Sequence, residues 1–175
     1  MNTVKILRTS ISETSVKEVS RILNNENSLK VAICNTNTVV RSNKDELLCE
    51  VINSFDIKTP DGFPIAKSSS IILKNNQQRV DGFNVFLSTI RDGINKNTSH
   101  YFYGSEKSVV QKLINKLVEE FPEINIAGSY SPPIGSHEDL TREEYIKDLQ
   151  KSSPDIVWVS LGFPKQELFI ELLQK

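Results

Sequence analysis

The sequence predicts an α/β protein, a Rossmann-like, doubly wound, mostly parallel sheet with helices on both faces. Three observations lead there. Short apolar runs alternate with stretches of helical periodicity almost throughout the chain. Two of those runs, Tyr101-Phe102-Tyr103-Gly104-Ser105 and Val157-Trp158-Val159-Ser160-Leu161-Gly162, close on a glycine turn before a new helix. The run Ile156–Val159 is unbroken and mostly β-branched behind a Pro-Asp start, the pattern of a parallel strand buried on both faces.

Taken in order, Val4-Lys5-Ile6-Leu7 reads as a short first strand. Thr9 to Thr14 is rich in capping residues ahead of a helix bearing Val16, Val19, Ile22 and Leu23. Asn24 to Ser28 breaks that helix, and Leu29 to Cys34 is a strand ending at Asn35-Thr36-Asn37-Thr38. Residues 45–55 form an amphipathic helix with Leu47, Leu48, Val51, Ile52 and Phe55 on one face. Ile57 to Pro60 is a strand closing on the tight turn Asp61-Gly62-Phe63-Pro64, with a helix over 65–74. Arg79-Val80-Asp81-Gly82 opens a helix whose Phe83, Phe86, Leu87, Ile90 and Ile94 are expected inward. After the 101–105 strand, Val109, Val110, Leu113, Ile114, Leu117, Val118 and Phe121 mark a helical stripe. Ile124 to Gly128 is a strand, Ser129 to Asp139 a loop, and Thr141-Arg142-Glu143-Glu144 a capping box for a helix with Tyr145, Ile146 and Leu149. Pro164 suits the first position of the last helix, which runs to Lys175 with no capping glycine and reads as cut rather than finished.

At 175 residues the chain supports one hydrophobic core. With 21 basic and 22 acidic residues it lacks the positive field of a duplex nucleic-acid binder. Cys34 and Cys49 have no metal or redox spacing, so both are expected reduced, which points to a cytoplasmic address. Met1 to Ser10 has no apolar signal-peptide region, and no run approaches the ~18 apolar residues of a membrane span. Membrane contact, if made, is peripheral.

Several residues could carry chemistry. Asp61, pinned between Pro60 and Pro64 at a strand end, is either a general base or half of an ordinary Asp-Gly turn. Arg79, beside the Gly82 turn, either clamps a diphosphate or stays a solvated surface residue. Asn35 either binds a polar ligand or caps the next helix. Gly104-Ser105 and Gly162 through Gln166 offer helix N-termini to phosphate. His100 and His137 lack partners at ligand spacing and read as structural. No Asp-x-Asp pair occurs, so no metal clamp for a sugar-nucleotide is expected, nor any cofactor.

Pro60-Asp61-Gly62-x-Pro64, Arg79-Val80-x-Gly82, Tyr103-Gly104, Ile126-Ala127-Gly128-x-Tyr130-x-Pro132-Pro133 and Leu161-Gly162-x-Pro164-Lys165-Gln166-Glu167 occur in that order. Together they resemble the WecG/TagA/CpsF family of bacterial glycosyltransferases. The resemblance covers residues 29–175, a glycosyltransferase α/β domain without the family's C-terminal tail; residues 1–28 resemble the family loosely. It implies inverting, metal-independent transfer of a hexose, N-acetylmannosamine-like or other, from a nucleotide-sugar, UDP-linked in several members. The implied acceptor is a lipid-linked (polyprenyl diphosphate) sugar, in polysaccharide, capsule or teichoic-acid assembly at the inner face of the plasma membrane. By position in the motifs, Asp61 matches the proposed base; Asn35, Arg79 and Gln166 match cleft residues. The loop of Tyr130, Pro132 and Pro133 lies where the family holds the nucleotide, and Gly82, Gly104, Ser105, Gly162, Pro164 and Glu167 complete the expected lining. The carboxylate of Asp61 is expected to face the turn that begins the last helix. A second reading is a truncated nucleotide-sugar-binding module without turnover; a third is an unrelated α/β enzyme that shares only the glycine turns. The sequence is compatible with a homo-oligomer and selects no state.

Overall fold

The computed structural model describes residues 1–173 and divides into two units, Met1–Thr89 and the chain from Ile90 onward. In the first unit the elements are β1 (Thr3–Ile6), β2 (Thr9–Ser12), α1 (Val16–Leu23), β3 (Val31–Cys34), α2 (Thr36–Lys44), α3 (Glu46–Ser54), β4 (Ile57–Pro60) and α4 (Phe63–Leu73). The division falls inside α5 (Gly82–Gly93). The strands β3 and β4 pair in parallel, with Val31 opposite Ile57 and Cys34 opposite Pro60. Val19 and Ile22 of α1 pack with Ile57, Val80 and Val85 in one core cluster.

Several expectations are corrected here. Thr9–Ser12 is a strand paired antiparallel to β1, not a capping segment. Thr9, Ile11 and Ser12 are buried along it, and the helix cap is Ser15, whose Oγ accepts from the Glu18 N–H at 3.2 Å. The helix α2 was not foreseen, because its buried face is largely hydroxylic: Thr38 and Ser42 are enclosed, and Ser42 Oγ donates to the Thr38 carbonyl at 2.8 Å. In α3 the inward face takes Cys49 in place of Leu47, which is 62% exposed. In α5 the inward residues are Val85, Thr89 and Ile90, while Phe83 is 68% exposed.

The second unit holds β5 (Ser99–Gly104), α6 (Lys107–Glu120), β6 (Asn125–Tyr130), α7 (Glu143–Ser152), β7 (Ile156–Ser160) and α8 (Lys165–Leu173). Its three strands are parallel in the order β6-β5-β7. The central strand is therefore β5, buried from His100 to Gly104. The strand expected to be buried on both faces, β7, lies beside it with Val157, Trp158 and Val159 only half-buried. On α6, Val110 and Leu117 are buried with the following Phe121, and Val109 and Val118 face outward. The capping box is not formed: Thr141 ends a 3-10 turn, Asp139–Thr141, and α7 starts at Glu143 behind Arg142, which makes no side-chain cap. Pro164 directly precedes α8 rather than opening it; the expected last positions of that helix, Gln174 and Lys175, lie outside the described residues. Tyr101, Tyr103, Leu140, Leu149 and Phe169 form the core cluster of this unit.

The connectivity is that of an α/β protein of the Rossmann-like class. From β5 the chain runs through α6 to β6 on one side, then crosses back to β7 on the other. The loops after β5 and β7 thus diverge at neighbouring strand ends, Gly104 opposite Ser160, which is a topological switch point. Among the described residues, no helix is long and apolar enough to cross a membrane.

Candidate active site

In the first unit the candidate residues assemble at the carboxyl ends of β3 and β4. Pro60 has no N–H to continue the ladder. The next N–H, of Asp61, turns back to the carbonyls of Cys34 and Thr59, each at 3.0 Å. The Pro60 carbonyl accepts from the Val80 N–H at 3.0 Å, which draws the segment before α5 against the end of β4. Arg79 arrives beside Asp61, with Nε 3.1 Å from Oδ1; the two side chains are 59% and 18% exposed. Gly62 follows with φ +82°, a conformation that suits glycine, and begins α4 without a side-chain cap.

Asn35, directly after β3, is an N-cap: its Oδ1 accepts from the Thr38 N–H at 3.1 Å. The cap does not use up the side chain, since it engages only the oxygen and the amide NH2 stays on an exposed side chain. Gly82 opens α5 beside β3, where a Cβ would lie 3.5 Å from Ile33, an ordinary van der Waals contact that leaves room for a side chain. Asp81, which sequence reading passed over as a site residue, caps α5 through the Asn84 N–H at 3.1 Å and the Asn84 amide at 2.7 Å. Burial pushes its carboxyl up, but those two bonds and nearby Arg79 outweigh it and hold the group below the usual carboxylate range. The signal for Asp81 was present as an aspartate three residues before Asn84 at a helix start.

In the second unit the candidates lie around the switch point. Gly104 is a close-approach residue: φ is +103°, and a Cβ would sit 2.5 Å from the Ser160 carbonyl oxygen. The Ser105 N–H donates to that same oxygen at 2.8 Å. Gly104-Ser105 therefore locks β5 to β7, and the Ser105 amide expected for phosphate is already engaged. Gly162 has φ +79° with nothing within 4 Å of a Cβ, so its side is open. The Phe163–Pro164 peptide is cis. The Gln166 N–H folds back to the Gly162 carbonyl at 3.1 Å.

Tyr130, at the end of β6, is half-buried, its ring 5.9 Å from that of Tyr103 and 6.2 Å from that of Tyr145. Tyr103 in turn stacks on Phe169 of α8 at 4.5 Å. After Pro132 and exposed Pro133, the Gly135 carbonyl accepts from Lys165 Nζ at 2.7 Å. Lys165, part of the motif but not singled out from sequence, thus ties the Tyr130–Gly135 loop to the start of α8.

Glu167 is the clearest departure. Expected to line the site, it is 2% exposed. Its Oε1 accepts from Gln166 Nε2 at 3.0 Å, and its Oε2 is buried without a hydrogen-bond partner. Burial pushes its carboxyl up, against the pull of the Gln166 and backbone bonds. An inward turn of α8, invisible in the sequence, makes it a support for Gln166 rather than a contact surface. His100 is buried, as its structural reading requires; its Nδ1 accepts from Trp158 Nε1 at 3.2 Å, and burial pushes it down to about 4. Among the described residues, no three His, Cys, Asp or Glu side chains group as metal ligands.

Parallel α/β pairing with polar groups at strand carboxyl ends defines the Rossmann-like class. Residues 3–175 match the description "Glycosyl transferase WecG/TagA/CpsF family", and the chain belongs to that family. The match takes in nearly all of the first 28 residues as well. A relative from Bacillus spizizenii, named N-acetylglucosaminyldiphosphoundecaprenol N-acetyl-beta-D-mannosaminyltransferase, is 37% identical over 127 residues, 69% of this chain and 45% of the relative. The protein of the same name from Bacillus subtilis is 33% identical over 127 residues, 73% of this chain and 48% of the relative. One from Staphylococcus aureus is 24% identical over 144 residues, covering 82% and 55%. The chain spans about half the length of these curated relatives.

Proposed function

We propose that this chain serves inverting, metal-independent transfer of a hexose from a nucleotide-sugar, UDP-linked, to a lipid-diphosphate-linked acceptor in cell-surface polymer assembly. The relatives' names, which specify an N-acetylmannosaminyl group and a GlcNAc-diphosphoundecaprenol acceptor, support that substrate class. The observation that carries the reading is the partly exposed Asp61 carboxylate, held at the carboxyl ends of two parallel strands with Arg79 on one oxygen.

In this mechanism Arg79 fixes Oδ1, and Oδ2 takes the proton of the acceptor hydroxyl. The hydroxyl oxygen then attacks the anomeric carbon as its bond to the nucleoside diphosphate breaks, and the electron pair leaves with the diphosphate. Attack from the face opposite the leaving group inverts the centre. Within the second unit, the groups suited to a nucleotide are the Tyr130–Gly135 loop and the open turn at Gly162, with Gln166 set by Glu167, and the uncapped start of α6 favours an anionic group.

The test is Asp61→Asn, with sugar transfer and donor binding measured on the same preparation. Loss of a positioned base costs about 10²–10⁴-fold in rate. Turnover is expected to fall by that order with donor affinity unchanged. Unchanged turnover would remove Asp61 from the mechanism. Donor binding without transfer by the unsubstituted chain would leave the module reading.

A further inference from the structure

The helix that starts two residues after Asp61 presents an unusual face. Across α4 and its C-cap, Phe63 is 76%, Ile71 66% and Ile72 54% exposed, with Lys67 and Lys74 also exposed. At 100° per residue, Phe63, Lys67 and Ile71 fall within an arc of about 80° with Pro64 and Ser68 beside them, Lys74 follows as the C-cap, and Ile72 lies across the helix from Phe63, next to Ile65. Ile65, Ala66 and Ser69 are buried on the other side. From Phe63 to Lys74 there are two lysines and no acidic residue. Strand β1, which packs against α4, adds exposed Lys5 and no acid. The acidic residue at the far end, Glu13, is engaged by the Asn75 and Asn2 amides.

We propose that this face of α4 is a docking surface for an anionic phospholipid bilayer, with Phe63 and Ile71 entering the headgroup boundary and Lys67 and Lys74 against lipid phosphates. Exposed apolar side chains interleaved with lysines on a short helix are the composition of an interfacial segment, and the charge complements acidic lipid. The inference deepens the function proposed above and rests on it for placement. An acceptor sugar joined to a lipid by a diphosphate holds its reacting hydroxyl about one sugar's length from the headgroups. The base that deprotonates it works at that depth, and Phe63 is two residues from Asp61.

The 175-residue chain is tested by co-sedimentation with vesicles of phosphatidylcholine alone and of phosphatidylcholine with phosphatidylglycerol, both free of sugar acceptor. Binding is expected to the anionic vesicles. It should weaken roughly fivefold for each of Lys67→Gln and Lys74→Gln, and weaken again in Ile71→Ser but not in Ile72→Ser, which lies off the face, with melting temperatures unchanged. Phe63→Trp supplies a second readout, an emission component quenched by brominated lipid. Absent binding, equal binding by all variants, or an unquenched reporter overturns the proposal. So does a dimer in sedimentation equilibrium that Ile71→Ser dissociates, since the face would then belong to a second copy. Because no acceptor is present, a chain that binds vesicles but no nucleotide would sink the transferase reading alone, and the reverse would sink the docking face alone.

Discussion

In the Asp61–Arg79 pair one side chain holds the other in place. The guanidinium is more than half exposed and would gain little as an isolated surface ion pair. Its use is orientation, because the contact is made through Nε to one chosen oxygen. Two other residues contribute to the pH dependence of stability with opposite signs. His100 is pushed down to about 4 from 6.5, chiefly by burial, so its contribution is fully present above pH 6.5 and is lost as pH falls toward 4. The full loss is about 3 kcal/mol. Glu167 is shifted up from 4.5, again chiefly by burial, so its contribution is complete below pH 4.5 and is lost as pH rises through the folded value. Thermal melting from pH 4 to 8 should therefore show Glu167→Gln more stable than the parent at neutral pH, and His100→Gln with a flatter acid limb. A Glu167→Gln variant that melts no higher at pH 7 would place the carboxylate in contact with water.

At the scale of elements, the two glycine turns that look alike in sequence are built for different ends. Gly104 lies against the Ser160 carbonyl in a left-handed conformation, so a methyl group there meets backbone and has no space to relax. Gly162 has the same kind of φ with open space around it. Gly162→Ala should cost about 1 kcal/mol, the strain of a left-handed alanine alone. Gly104→Ala should cost more than 2 kcal/mol, through that strain together with a displaced β5–β7 pairing. Chemical denaturation of the two variants checks the order. Equal losses would mean that the close approach at Gly104 is not maintained in solution.

For the whole molecule, the charge balance of 21 basic and 22 acidic residues provides no global field for attracting anions. Under the proposed function, donor recognition would depend on local amides and on the few side chains around the Gly162 turn. A screen of nucleoside diphosphates by thermal shift should single out one base. At a ligand concentration of 100 times Kd the native state gains about 2.7 kcal/mol, which for a chain of this size raises the melting temperature by roughly 5–10 °C. Equal shifts with all nucleotides, or none, would remove specific donor binding from this chain.

The sequence by itself determined the α/β alternation, the family and the identity of the groups at the strand ends. Each is written locally, in apolar period, glycine position and motif order. It also carried the neighbourhood of Asp61, because Pro60 and Gly62 constrain the backbone from residues next in the chain. Only the tertiary structure decided which strand is central, that Thr9–Ser12 pairs as a hairpin, and that α2 buries hydroxyls in place of a hydrophobic stripe. It likewise decided that Glu167 turns inward and that the Ser105 amide is occupied. Those outcomes depend on partners distant in sequence. Burial and hydrogen-bond satisfaction are properties of what lies opposite, and no window along one strand or helix contains that information.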